Sequence, residues 1–255
     1  MGKQNLIFDL DDTLIHCNKY FRATINSFVN QIKDWFPFIT REEITQKQLE
    51  IDIKSISEYG LNSSRFPESL VSVYIFYSEK HQHKIQQEKI DIVRKIGQQV
   101  FEIEVQPFPY MYEVLNDLQQ EGHNLYMYTG GDKENQTRKI VQLELEAYFG
   151  KNVFIYEHKN TEALKEVLQM IKADPKTTWM IGNSLKTDIK PALENGIHAI
   201  HIPSELEWSY NNIKIDIEPK GELLTINSLI QLPEIFRKYD GCVGEQSMQK
   251  TMSQD

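Results

Sequence analysis

Residues 9 to 13 read Asp-Leu-Asp-Asp-Thr, directly after the apolar run Leu6-Ile7-Phe8. A short buried strand is expected here, carrying Asp9 and Asp11 to its C-terminal end, where the chain turns. Two carboxylates so placed can divide the work of a reaction: one attacks an electrophile while the other moves a proton. The pair also makes a hard, anionic oxygen site suited to Mg²⁺.

Three other apolar runs end in groups that could serve the same site. Asn124 to Tyr128 leads into Thr129-Gly130-Gly131, a hydroxyl followed by glycines that let backbone amides approach an anion ahead of a helix. Val153 to Tyr156 leads into Glu157-His158-Lys159, and Trp179 to Ile181 into Gly182-Asn183-Ser184 with Asp188 beyond it. His16 and His158 lie near these runs but are read as packing or surface residues, because the two carboxylates already supply acid–base chemistry.

The elements that must position these groups alternate. From Val105 onward the pattern predicts helices over 107–120, 133–148, 161–172 and 188–194, with strands at 124–128, 153–156, 179–181 and 197–202. Such alternation predicts an α/β fold, a Rossmann-like parallel sheet with helices on both faces, binding its ligand beyond the C-terminal strand ends. Residues 16–104 carry helix signals only. Phe21, Ile25, Phe28, Val29 and Ile32 follow helical spacing, Thr40 to Glu43 forms a capping box, and Pro67 marks another helix start. The first strand therefore finds its partners only after residue 105. The expected organisation is an α/β core from 1–15 and 105–239, an inserted all-helical cap from 16–104, and a flexible tail from 240–255.

Composition narrows the function classes. The 255 residues are 40% hydrophobic and 25% charged. No apolar stretch approaches the roughly 20 residues that span a bilayer. No basic-then-apolar leader opens the sequence, so a cytoplasmic protein without a membrane partner is expected. The net charge of −9 argues against a nucleic-acid partner. It leaves room for a small phosphorylated metabolite, because a local cation can override the global charge. Cys17 and Cys242 match no metal or redox spacing and are read as reduced thiols.

Taken together and in this order, the four strand-end motifs resemble those of the haloacid dehalogenase-like superfamily of phosphohydrolases. Asp9-Leu-Asp11-Asp-Thr13 is similar to its first motif, Thr129 to the second, Lys159 to the third, and Gly182-Asn183-Ser184 with Asp188 to the fourth. The helical insertion resembles that superfamily's helical (C1) cap. The resemblance implies a phosphatase acting on a small phosphomonoester. Asp9 would be the nucleophile that forms an aspartyl-phosphate, and Asp11 the acid and then the base. Thr129, Gly130 and Lys159 would hold the phosphoryl oxygens. Mg²⁺ would be the cofactor, bound by Asp9, Asp11, Asn183 and Asp188. An acid at Asp11 favours phosphate esters over halides, because halide leaves without a proton. Asn183 stands where the family usually has Asp. This predicts a retained but weaker metal site compensated by Asp188, and an Asn183→Asp substitution that tightens Mg²⁺. Two alternatives share the fold: a non-catalytic or weakly active binding or regulatory protein, and a phosphomutase. Oligomeric state is not legible. Asn18, Tyr20 and Arg22, just after the first motif, are candidates to face the site.

Overall fold

Three apolar side chains, Leu6, Ile7 and Phe8, are fully buried at the centre of the molecule, because the strand that carries them is covered on both faces. That strand, β1 (Asn5–Phe8), is the third of six parallel strands in the computed structural model, which describes residues 2–238. The others are β2 (Asn124–Gly130), β3 (Val153–Tyr156), β4 (Thr178–Gly182), β5 (His198–His201) and β6 (Leu223–Thr225). Their order is β3-β2-β1-β4-β5-β6. Phe8 is in register with Met127 of β2 and Ile181 of β4. The strand order switches direction beside β1, and in such sheets the crevice outside the strand ends at that point is where ligands bind.

Successive strand side chains point to opposite faces, so each face has its own core. Leu6 and Phe8 pack with Trp179, Ile181 and Phe236 under helix α5 (Met111–Gln120). Ile7, Tyr128 and Met180 pack with Leu164 and Val167 of α8 (Thr161–Met170) and Leu193 of α9 (Lys190–Glu194). The α/β fold with helices on both faces is thus the one expected from sequence.

Before these, α1 (Asn18–Trp35), α2 (Arg41–Tyr59), α3 (Arg65–Lys80) and α4 (Gln87–Gln99) form a helical layer with a separate core, including Phe28, Ile32, Leu70, Val73, Tyr74 and Val93. The Thr40 capping box is present: the Glu43 amide donates to the Thr40 hydroxyl at 3.2 Å, and the Thr40 amide to the Glu43 carboxylate at 2.8 Å. The turn between α2 and α3 docks this layer on the strand ends. The Leu61 amide donates to the Glu157 carbonyl, and the Ser63 amide to the Asp132 carboxylate, each at 2.8 Å. Gly60 makes this possible. Its φ is +77°, and a β-carbon there would lie 2.9 Å from the Glu157 backbone oxygen.

Three expectations need correction. The helix predicted over 133–148 is two helices, α6 (Lys133–Gln142) and α7 (Glu146–Phe149). Glu144 breaks it with φ +52°, which lets Leu143 and Leu145 both bury against the sheet. The helix expected from Asp188 starts earlier, with a wide turn over Leu185–Ile189 in which the Ile189 amide reaches back to the Ser184 carbonyl. Such widened turns collect at functional sites. Strand β6 was not expected. It is a three-residue edge strand with Leu223 38% exposed, too short and too wet to leave a hydrophobic pattern. Residues 239–255, which include the predicted tail and Cys242, lie outside the described residues. Among the described residues no helix is long and apolar enough to cross a membrane.

Candidate active site

Asp9 is the first residue beyond β1. Its amide still donates to the Ile181 carbonyl at 2.9 Å, so the sheet holds its backbone while its side chain enters the crevice. The chain then turns sharply: the amides of Leu14 and Ile15 both reach back to the Leu10 carbonyl, with Asp12 at φ +60°. The turn folds Thr13 under Asp9, and the Thr13 hydroxyl donates to the Asp9 carboxylate at 2.9 Å. Asp12 is not part of the reactive cluster. It accepts from the amides of Cys17 and Asn18 at the start of α1, and burial pushes its pKa up to about 7 despite those donors.

Lys159 follows β3 and is almost entirely buried. Its ammonium lies 2.5 Å from an oxygen of Asp9 and 2.5 Å from one of Asp188. The second Asp188 oxygen accepts from the Ser184 amide at 2.9 Å. Burial raises the Asp9 carboxyl to about 7, with Lys159 pulling it down and Asp188 pushing it further up. Burial also opposes the Lys159 charge, but the two carboxylates outweigh it and hold that pKa above the ordinary lysine range. Gly182 is required beside this cluster, because any β-carbon there would collide with the Asp188 carboxylate.

Sequence reasoning missed two residues that face Asp11. Lys139 of α6 reaches both Asp11 carboxylate oxygens at 2.8 Å. Gln136, one turn earlier, donates to Asp11 at 3.0 Å, to the Thr129 hydroxyl at 2.6 Å and to the Gly130 carbonyl at 2.9 Å. Both are buried. Their signal was available: polar side chains at i and i+3 on the inward face of the helix that follows the Thr129 strand end. Thr129 itself is fully buried behind Gln136 and is not among the residues that line the cavity over the strand ends, whereas Gly130 is. Gly131 differs from expectation. Its amide donates to the Tyr156 carbonyl at 3.0 Å and so extends the sheet.

Asn183 follows β4. Its side-chain oxygen faces the Thr13 hydroxyl at 3.3 Å, and its backbone amide donates to the same hydroxyl at 3.0 Å. Its side-chain nitrogen donates to Glu207, which lies in the long loop after β5. Nothing in the sequence marked Glu207, since it belongs to no motif and no periodic element. Asp188 is engaged by Lys159 and Ser184, and the acidic group hydrogen-bonded to the Asn183 side chain is Glu207.

The cluster opens into a cavity of about 730 Å³ between the strand ends and the helical layer. Asn18 and Arg22 line it as anticipated; Tyr20 does not, and its hydroxyl instead accepts from the Gln106 amide at 3.1 Å. On the opposite wall α2 contributes Thr45, Gln48 and Asp52. Asp52 is only 8% exposed, and burial lifts its carboxyl to about 6 although the neighbouring Ser69 and Gln48 pull it down. An acid raised in this way is harmless to the fold when protonated. It opposes folding as pH climbs from about 4 to about 6, and the full penalty remains above that. Asp52→Asn is therefore expected to stabilise the protein by about 2–3 kcal/mol at pH 7.5 and hardly at all near pH 4, read from calorimetric Tm values at the two pH values.

A doubly wound parallel sheet with buried carboxylates and a buried lysine at its switch point defines the α/β class whose chemistry lies at strand ends. Residues 4–196 match the family model described as haloacid dehalogenase-like hydrolase, and the chain belongs to that family. It is 26% identical over 240 residues to the glyceraldehyde 3-phosphate phosphatase of Methanothermobacter thermautotrophicus, covering 91% of this chain and 98% of that one. It is 25% identical over 238 residues to the protein of the same name from Methanocaldococcus jannaschii, covering 92% and 97%. A haloacid dehalogenase-like family hydrolase from Xanthomonas campestris superposes with a TM-score of 0.76 at 22% identity, over 96% of this chain and 99% of that one.

Proposed function

We propose that this protein is a Mg²⁺-dependent phosphatase that hydrolyses a small phosphomonoester through an aspartyl-phosphate on Asp9. The observation that carries this is the buried Asp9–Lys159–Asp188 cluster at the end of β1, with Asp11 two residues from Asp9. The names of the two relatives support the reaction class, and make glyceraldehyde 3-phosphate the first substrate to assay.

The oxygens at hand fit a hard divalent cation. Asp9 and the Asn183 side-chain oxygen, both against the Thr13 hydroxyl, are groups that would hold it, with Asp188 behind them through Ser184 and Lys159, and the family resemblance adds the Asp11 backbone carbonyl. A bound Mg²⁺ supplies charge neutralisation between an anionic nucleophile and an anionic ester. The protein's own residues do the rest. Lys159 opposes the rise that burial imposes on the Asp9 carboxyl and, with Thr129, holds the phosphoryl oxygens as their charge develops. An Asp9 oxygen attacks phosphorus and the ester P–O bond breaks, while Asp11, having taken up a proton from solvent before the attack, gives it to the leaving alkoxide. Asp11 then takes a proton from water, which attacks phosphorus, releases phosphate and restores Asp9. Lys139 and Gln136 orient Asp11 for both transfers.

In this proposal residues 16–104 act as the cap that admits and excludes water, and the enzyme works in the cytoplasm. The test is phosphate release from a panel of phosphorylated metabolites, including glyceraldehyde 3-phosphate. Turnover is expected with Mg²⁺, should vanish in excess EDTA, and should return when Mg²⁺ is restored. No release from any panel member would sink the proposal, and an isomerised product without free phosphate would assign a mutase instead.

A further inference from the structure

We propose that Glu207 is the residue that allows an asparagine to stand at position 183: it holds the Asn183 amide with its oxygen toward Asp9 and returns, one hydrogen bond further out, the negative charge the amide lacks. The inference rests on the metal-dependent function proposed above.

The geometry is specific. The Asn183 side-chain nitrogen lies 3.1 Å from each Glu207 carboxylate oxygen. A carboxylate only accepts, so the group facing it is the NH₂, which fixes the orientation of the amide. The Asn183 oxygen is thereby turned to the other side, where it lies 3.3 Å from the Thr13 hydroxyl that itself donates to Asp9. The Thr13 hydroxyl gives its one hydrogen to Asp9, so it does not select the Asn183 oxygen, and Glu207 is the contact that does. Glu207 is itself held. One of its oxygens accepts from the Asn211 side chain at 2.7 Å and from the Trp208 amide at 3.2 Å. The Asn183 carbonyl, in turn, lies 2.9 Å from the His201 ring at the end of β5, so both ends of Asn183 are tied to β5 and the loop that follows it.

Charge points the same way. Lys159 answers Asp9 and Asp188, and Lys139 answers Asp11. Glu207 enters no ion pair among the described residues, so its charge stays in the cluster. A carboxylate hydrogen-bonded to the far end of an amide draws the proton side toward itself and leaves the amide oxygen more electron-rich, a better donor to a hard cation. Glu207 is thus a positioning residue. It reverses the expectation drawn from sequence that Asn183→Asp tightens the metal. With Glu207 in place that substitution sets two carboxylates against each other at hydrogen-bonding distance, and the repulsion offsets the charge gained at the metal.

The test is direct Mn²⁺ binding to the intact protein, followed by the EPR signal of free Mn²⁺ and by titration calorimetry, for wild type, E207Q, E207A, N183D and the N183D/E207Q double variant. Far-UV circular dichroism is recorded for each. Partners of this kind typically change metal affinity by roughly 10–100-fold. E207Q, which keeps a hydrogen-bond acceptor and loses the charge, is expected to weaken Mn²⁺ by roughly tenfold, and E207A by more. N183D is expected to bind no tighter than wild type, whereas adding N183D to E207Q should recover most of the lost affinity. That reversal of sign is something a purely structural role for Glu207 would not produce. Equal Mn²⁺ affinity in wild type and E207Q, or N183D tightening binding equally in both backgrounds, overturns the role of Glu207 and leaves the phosphatase proposal standing. No Mn²⁺ binding by wild type overturns both.

Discussion

Asp9→Asn is expected to lower hydrolysis of an aryl phosphate by at least about 10³-fold, with substrate binding changed far less. The amide has the shape of the carboxylate but is a much poorer nucleophile, so only the step that forms the aspartyl-phosphate is lost. The fold should survive. Lys159 keeps Asp188 as its partner at 2.5 Å, and an amide at position 9 can still accept from the Thr13 hydroxyl. Steady-state rates with aryl phosphate, alongside thermal unfolding, check both halves. Near wild-type turnover in a folded variant would remove Asp9 from the role of nucleophile.

Lys159→Met should damage activity and stability together. Methionine fills the volume but leaves Asp9 and Asp188, which are 6% and 0% exposed, without a cation between them. Removing one member of a buried charge cluster typically costs about 3–5 kcal/mol, because the ions that remain cannot be solvated. For a chain of this size that corresponds to a fall in Tm of roughly 10 °C. The sign with pH is definite. Without Lys159 both acids favour protonation in the folded state, so the deficit is largest at alkaline pH and shrinks as pH falls and they take up protons. Adding Asp188→Asn should recover part of the loss. Melting curves at pH 5 and pH 8 decide it, and a Tm unchanged at pH 8 would mean that the lysine is not an electrostatic clamp.

The residues that sit at strand ends were legible because strand ends announce themselves locally. An apolar run followed by a polar residue and a turn places that residue in the crevice whatever the rest of the chain does, which is why Asp9, Thr129, Lys159 and Asn183 are found together. Gln136 and Lys139 were harder. Their helix was visible, but the face of α6 that meets Asp11 depends on how α6 packs against the sheet. The break at Glu144 shows this: Leu143 and Leu145, two residues apart, both bury against the sheet because the helix is interrupted between them.

The metal pole shows the same division within one residue. That position 183 carries an amide is plain from the sequence, and so is the loss of a charge there. What replaces the charge is Glu207, brought from the loop beyond β5 across 24 residues of chain.

Local order in the sequence therefore determined the parallel sheet, the helical layer between β1 and β2, and the side chains that end each strand, because alternation and periodicity act over a few residues. Only the tertiary structure decided which groups neutralise which: Lys159 between Asp9 and Asp188, Lys139 on Asp11, Glu207 on Asn183. Hydrogen bonds and ion pairs are made across space at about 3 Å, and no spacing along a chain encodes a distance between residues that folding alone brings into contact.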